Sequence, residues 1–309
     1  MLLNVHSYYS LRYGTLSLEE LITGMQQNGY DTVVLTDINN STGSLDLLKQ
    51  GSKAGLNILA GMEFRNGDNL LYIGIARNNA GFKAMNEIMT QANKEHRLLP
   101  EDAPSLADVF MVYPFGSKDV NKLQDNEFIG IRPSEINRIR LDSPRNMDRY
   151  VILATVSFKR EDFKFHCQLR AIDHNILISQ LTKDMVGSRA EVFIPRVQLM
   201  ELYREVPLLI RNTNVLLAQC SFDFDFKSMK NKATFTGNRY NDKQLLHKYT
   251  NDGIGRRYAQ TDTNAIQRVQ RELEVIEKLN FSSYFLITDD ICRYARSREF
   301  HYVGRGSGA

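Results

Sequence analysis

Three polar side chains stand at the same place in a repeated pattern. His6, Asp37 and Glu63 each fall where a short apolar run ends. Leu2 to Val5 reads as a strand stopping at His6, Thr32 to Thr36 as a buried strand stopping at Asp37, and Ile58 to Glu63 as a third. Between the first two, Leu18, Leu21, Ile22 and Met25 recur at helical spacing, with Ser17 and Glu20 spaced as a capping box and Gly29 as a stop signal. A second helical pattern covers Leu45 to Ala54 and closes at Gly55. Leu70 to Ala76 reads as a strand and Phe82 to Ala92 as a helix. Strands separated by helices of this length predict parallel βαβ units, in a doubly wound sheet or a barrel. In a barrel the strand C-termini converge on one face, where polar groups tend to form a site. Three in succession fit a barrel mouth.

The middle of the chain is less regular. Val109 to Tyr113 and Val151 to Val156 read as strands, and Phe165 to Ile172, Arg196 to Glu205 and Asn212 to Cys220 as helices. From Lys227 to Asp242 the composition turns polar, which predicts a domain linker. Beyond it, Ile266, Val269, Leu273 and Ile276 form the apolar stripe of a helix over Ala265 to Leu279, on which Arg268 can pair with Glu272. A further helix over Phe285 to Arg298 precedes a short strand at His301 to Val303.

Composition narrows the classes. Cys167, Cys220 and Cys292 fall in no CxxC pattern and are expected as buried thiols of a reducing cytoplasm. No apolar run approaches the roughly 18 residues of a membrane span, and the N-terminus lacks the basic and long apolar regions of a secretory signal. A net charge of +3 permits nucleic-acid binding without arguing for it.

The last residues, Gly304-Arg305-Gly306-Ser307-Gly308-Ala309, have a phosphate-cradle composition. Glycines let backbone N–H groups approach an anion, arginine offers a cationic fork, and serine adds a donor. They do not form a Walker A motif, and a plain surface loop is the alternative. A chain that stops inside such a stretch is expected to be a piece of a longer protein.

These residues resemble a family. His6-Ser7-Tyr8-Tyr9-Ser10, Leu35-Thr36-Asp37, Gly61-Met62-Glu63 and Ile75-Ala76-Arg77-Asn78 follow the order of the PHP domain of bacterial DNA polymerase III alpha subunits. Glu272-Leu273-Glu274-Val275-Ile276, Phe281-Ser282-Ser283-Tyr284-Phe285-Leu286-Ile287 and Val303 to Ala309 resemble the opening of that family's palm, and Asn212 to Cys220 the end of its PHP domain. The region from about 100 to 160 resembles it only weakly. The resemblance implies an α/β fold: a distorted (β/α)7 PHP barrel over residues 1–225, then a linker and the first helices of the polymerase palm over 226–309. It also implies nucleotide addition to a primer end in the full-length protein, with DNA, deoxynucleoside triphosphates and other replisome subunits as partners in the cytoplasm. Gly304, Arg305, Gly306 and Ser307 would contact the incoming triphosphate. The palm carboxylates that hold two magnesium ions would lie beyond Ala309, so the fragment is expected not to polymerise DNA. Asp223 and Asp225 precede the palm and read as a strand or linker feature.

The family's PHP site gathers histidines and carboxylates around two or three metal ions. Here the opening His-x-His reads Asn4-Val5-His6, and the Thr-Asp-His reads Thr36-Asp37-Ile38. The histidine of the next strand falls near Leu71, and the later Asp-x-His near Thr155-Val156-Ser157, where no good ligand stands. His6, Asp37 and Glu63 remain. They are expected to form a vestigial site without metal, in a barrel kept as a scaffold for the polymerase. The alternative is a metal-dependent phosphoesterase or 3′–5′ proofreading exonuclease using zinc or manganese on the same three residues. His96, His174, His247 and His301 match no ligand position and are expected to be surface or packing histidines.

Overall fold

A computed structural model describes residues 2–142, 147–228, 230, 233–259, 262–304 and 306. The chain divides into two compact units, Met1–Phe224 and Asp225–Ala309.

The first unit is α/β. Its opening follows the periodicity: β1 (Leu2–Val5), α1 (Leu18–Gln27), β2 (Thr32–Leu35), α2 (Ser44–Lys53) and β3 (Asn57–Asn66). Ser17 and Glu20 make the reciprocal capping box, so both the cap and the first turn are satisfied. Leu18, Leu21 and Met25 are the buried face of α1. The remaining elements are β4 (Asn69–Ala76), α3 (Asn79–Glu95), β5 (Val109–Pro114), β6 (Glu127–Ile131), α4 (Ile136–Asp142), β7 (Tyr150–Ile152), β8 (Thr155–Val156), α5 (Phe163–His174), α6 (Arg196–Leu202) and α7 (Pro207–Ala218).

All eight strands lie in one sheet, in the order β7-β6-β5-β4-β3-β2-β1-β8. β7 and β8 are its two edges, yet Ile152 and Thr155 are joined by only Leu153 and Ala154. A flat eight-stranded sheet would separate its edges by about 34 Å at roughly 4.8 Å per strand, far beyond the reach of two residues. The sheet therefore curls until its edges almost meet, which is the distorted barrel.

The strand pattern departs from the expected βα units in three ways. β3 and β4 form an antiparallel hairpin, and β5 is antiparallel to β4. A two-residue turn joins the paired Asn66 and Asn69, and its first residue, Gly67, takes a φ of 59° that suits glycine. The single strand expected from Val151 to Val156 is split, because β7 pairs with β6 while β8 pairs with β1 on the opposite edge. β6 has no counterpart in the sequence reading; its Glu127-Phe128-Ile129-Gly130-Ile131 is short and begins on a charge. The core is continuous through the curl, with Val5, Val34, Leu59, Phe64, Tyr72, Val112 and Ile131 among its fully buried side chains.

The second unit is helical: α8 (Arg239–Arg257), α9 (Thr263–Lys278) and α10 (Ser282–Ser297). α9 matches its predicted span, and the Arg268–Glu272 pair forms at 2.6 Å. The end of the polar stretch read as linker is the first turn of α8, capped by Asn238. His301 to Val303 is not a strand. Leu246, Leu273 and Leu286 make the unit's small core.

The cysteines form no disulfide, and all three are half-buried rather than fully buried. Among the described residues no helix is long and apolar enough to cross a membrane.

Candidate functional site

β1, β2 and β3 deliver the three candidate residues to one end of the sheet. β1 and β2 run parallel, as do β2 and β3, so their C-terminal ends lie side by side. His6 follows β1 directly and Asp37 follows β2 by one residue. Glu63 is not at a strand end; it lies inside β3, where the parallel pairing with β2 gives out at a bridge to Ile38 and the antiparallel hairpin continues. His6, Asp37 and Glu63 are all fully buried.

Asp37 serves the loop after β1. Its Oδ1 accepts from Ser7 N and Ser10 Oγ, both at 2.7 Å, and its Oδ2 accepts from Ser7 Oγ at 2.7 Å. Ser10 Oγ in turn accepts from Ile38 N at 3.0 Å. The carboxylate thus staples the His6–Gly14 loop to the end of β2.

His6 and Glu63 belong to a second network. Glu63 Oε2 accepts from Asn4 Nδ2 at 2.8 Å and meets His6 Nε2 at 3.1 Å, while Oε1 accepts from Arg65 Nε. Asn4 Oδ1 accepts from Thr36 Oγ1 at 2.5 Å, and Asn4 Nδ2 also reaches Thr155 Oγ1 at 3.1 Å. On the other side of the ring, His6 Nδ1 lies 2.9 Å from Ser157 Oγ, which donates its one hydrogen to Glu191 Oε2 at 2.6 Å. Tyr13 OH reaches the same Glu191 oxygen at 3.2 Å, and the Arg65 guanidinium lies over the Tyr13 ring at 4.5 Å. His6 thus lies between Ser157 on one side of its ring and the Glu63 carboxylate on the other, with a partner at each nitrogen.

Burial opposes the charged form of Glu63, but the charges of Arg65 and His6 and the hydrogen bonds from His6 and Asn4 outweigh it, holding the carboxyl far below the usual carboxylate range. Burial raises the Tyr13 hydroxyl well above its ordinary value, and the nearby Glu191 adds to this. Burial also opposes the charge of Arg65, but Glu63 and Tyr13 prevail and keep it protonated more firmly than usual.

This set does not fit a metal ion. A divalent cation needs free lone pairs converging on one point. Here each oxygen of Glu63 and Asp37 meets a donor of the chain, and each His6 nitrogen has a hydrogen-bond partner within the protein. A guanidinium sits against the Glu63 carboxylate, and the Asp37 side chain faces the Ser7–Ser10 loop. Among the described residues, no group of three or more His, Cys, Asp or Glu side chains is disposed to hold a metal. Ser157, His6 and Glu63 do follow the order of a hydrolase triad. All three are at most 1% exposed, and the serine hydrogen is committed to Glu191, so no nucleophile is offered to a substrate.

Sequence reasoning missed Arg65, Tyr13 and Glu191, and set Ser157 aside because it is no ligand. Arg65 alone had a local signal, two residues from Glu63 on the same strand. It also missed His166, buried beside Tyr13, with Nδ1 donating to Tyr13 O at 2.7 Å and Nε2 accepting from Gly187 N at 2.8 Å. Of the other histidines, His174 pairs with Asp68 and His247 with Glu277. In the C-terminal loop, Gly304 and Gly306 have open space around them, while Arg305 and Ser307 lie outside the described residues. Asp223 accepts from the distant Asn79, and Asp225 accepts from the nearby backbone of Lys227 and Ser228, so each has a structural partner within the chain.

Comparison with known proteins gives two family matches. Residues 3–113 match the PHP domain, and residues 244–309 match the bacterial DNA polymerase III alpha NTPase domain. An error-prone DNA polymerase of Symbiobacterium thermophilum is 24% identical, over 99% of this chain and 33% of its own length. DNA polymerase III alpha subunits of Ureaplasma parvum and Halalkalibacterium halodurans are 26% and 23% identical, each over 99% of this chain and 30% of their own length. The chain thus spans about a third of the length of the curated relatives it matches. Among solved structures, an amidohydrolase from Chromobacterium violaceum aligns with 57% of this chain and 84% of its own at 12% identity and a TM-score of 0.26. The N-terminal part of the chain is thus similar to PHP domains and its C-terminal part to the DNA polymerase III alpha NTPase domain.

Proposed function

We propose that this chain, related along nearly its whole length to DNA polymerase III alpha subunits and error-prone DNA polymerases, serves as the N-terminal part of such a DNA-directed DNA polymerase. Residues 1–225 act as its PHP domain, and 226–309 as a linker and the opening of the palm. The barrel is a scaffold that does not hydrolyse phosphodiesters. What supports this is the saturation of the mouth: His6, Asp37 and Glu63 spend their polar atoms on Asn4, Ser7, Ser10, Arg65 and Ser157.

In the assembled polymerase, Gly304, Arg305, Gly306 and Ser307 would approach the triphosphate of the incoming nucleotide through backbone N–H groups, a guanidinium and a hydroxyl. Magnesium would serve the nucleotidyl transfer, held by carboxylates outside this sequence. DNA and other replisome subunits would be the partners, and the cytoplasm the setting.

A chimera tests the scaffold reading. Replacing the matching N-terminal third of the Ureaplasma parvum alpha subunit with this chain should preserve primer extension, whereas deleting that third should abolish it. A folded chimera without extension would contradict it. Separately, the chain should release no nucleotide from 3′-labelled single-stranded DNA in zinc or manganese. Release that disappears in Glu63→Gln would establish an exonuclease instead.

A further inference from the structure

Arg65 occupies an unusual position for a strand arginine. Its side chain is only 10% exposed, and it lies against a Glu63 side chain that is 1% exposed. An arginine two residues from a glutamate on an outer strand face would have both heads in water. Here both are turned into the mouth at a register shift: Phe64 pairs with Tyr72 and Arg65 with Leu70, leaving Leu71 extra on β4. Such bulges re-aim side chains.

From this position Arg65 ties together three segments. Its guanidinium bonds Glu63 on β3 and covers the ring of Tyr13 from the loop after β1. Its backbone forms a reciprocal pair with the Asn39 side chain from the loop after β2, at 2.9 Å in each direction. Glu63 passes the connection on to His6 and Asn4 of the β1 segment. Neutralising a buried carboxylate and cross-linking three strand ends is structural work that a multivalent cation can also do.

We infer that Arg65 is a built-in cation of the barrel mouth, its guanidinium balancing Glu63 and binding the β3 end to the loop after β1 in place of a divalent ion. The inference rests on the scaffold reading, and its test is separate, because melting could fail to follow Arg65 in a barrel that still hydrolyses nothing.

The test is thermal melting of the 309-residue chain, in chelator and in millimolar zinc or manganese, for wild type, Arg65→Met and Arg65→Met with Glu63→Gln. Arg65→Met strands a buried carboxylate and should lower the melting temperature by about 5 °C or more. Adding Glu63→Gln removes the stranded charge and should restore most of the loss. Zinc or manganese should raise the melting temperature of Arg65→Met and leave that of wild type unchanged. An Arg65→Met protein that melts with wild type, a double variant no better than the single, or a wild type raised by zinc would each overturn the inference. If Arg65→Met does not fold, the double variant decides: a folded double supports the inference and an unfolded one overturns it.

Discussion

Arg65 Nε donates to Glu63 Oε1 from two residues further along the same strand. The pair sits at the mouth of a curled sheet, and both partners are held by the segments around them: Glu63 by Asn4 and His6, Arg65 by Tyr13 and Asn39. That relationship separates this mouth from a metal centre built on the same three candidate residues. The carboxylate that would ligate an ion has its charge met from within the chain.

Asp37 carries a different load. Replacing it with alanine removes the acceptor of Ser7 N, Ser7 Oγ and Ser10 Oγ, all in a buried loop. Asp37→Ala should cost about 3 kcal/mol in urea unfolding. A loss within about 0.5 kcal/mol, ordinary for a surface substitution, would show that the staple is unimportant.

A second ion pair with a buried carboxylate lies on β6, one strand in from the β7 edge of the same sheet. Glu127, 2% exposed, takes Lys118 Nζ at 3.0 Å and Tyr113 OH at 3.0 Å. Lys118→Met leaves that carboxylate without its cation and should cost about 3 kcal/mol. Lys118→Met with Glu127→Gln should be more stable than the single variant by at least about 1 kcal/mol. Chemical denaturation of both variants checks the order.

The local half of this structure was legible in the sequence. β1, α1 with its Ser17–Glu20 capping box, β2, α2 and α9 follow from apolar period and cap chemistry, because those signals span only a few residues. What depends on partners far along the chain was not. Val151 to Val156 is apolar apart from Thr155, and nothing local shows that its two halves form opposite edges of the sheet. α8 buries only Asp242 and Leu246, so it carries no stripe to find. At the mouth, His6 and Asp37 were visible because strand ends announce them, and Glu63 because an apolar run stops there, although β3 continues to Asn66. Tyr13, Ser157 and Glu191 arrive from loops that only the curled sheet brings together.

His166 makes stability depend on pH. Burial disfavours its charged ring and lowers its pKa, with Arg170 and Arg65 adding to the effect and outweighing the bond to Tyr13 O and the charge of Glu191. The unfolded histidine, near pH ~6.5, then binds protons more readily than the folded one. The stabilisation is complete above about pH 6.5 and is lost as pH falls through the folded value. Urea midpoints at about pH 7.5 and 5.5 should therefore fall further for wild type than for His166→Gln. Parallel losses would contradict this assignment.

Gly81, early in α3, marks a close approach of the helix to the β5 side. A Cβ there would lie 1.9 Å from the backbone oxygen of Asp108. Gly81→Ala should destabilise the chain by about 2 kcal/mol, although alanine is the better helix former. An unchanged or raised melting temperature would mean the backbone yields there at no cost.

Metal content tests the central claim most directly. The chain would be purified without chelator, dialysed against zinc and manganese, then freed of unbound ions and measured by inductively coupled plasma mass spectrometry. A mouth closed by Arg65 and saturated by Asn4, Ser7, Ser10 and Ser157 predicts almost no retained metal. One or more ions per chain, lost in His6→Ala or Glu63→Gln, would contradict it.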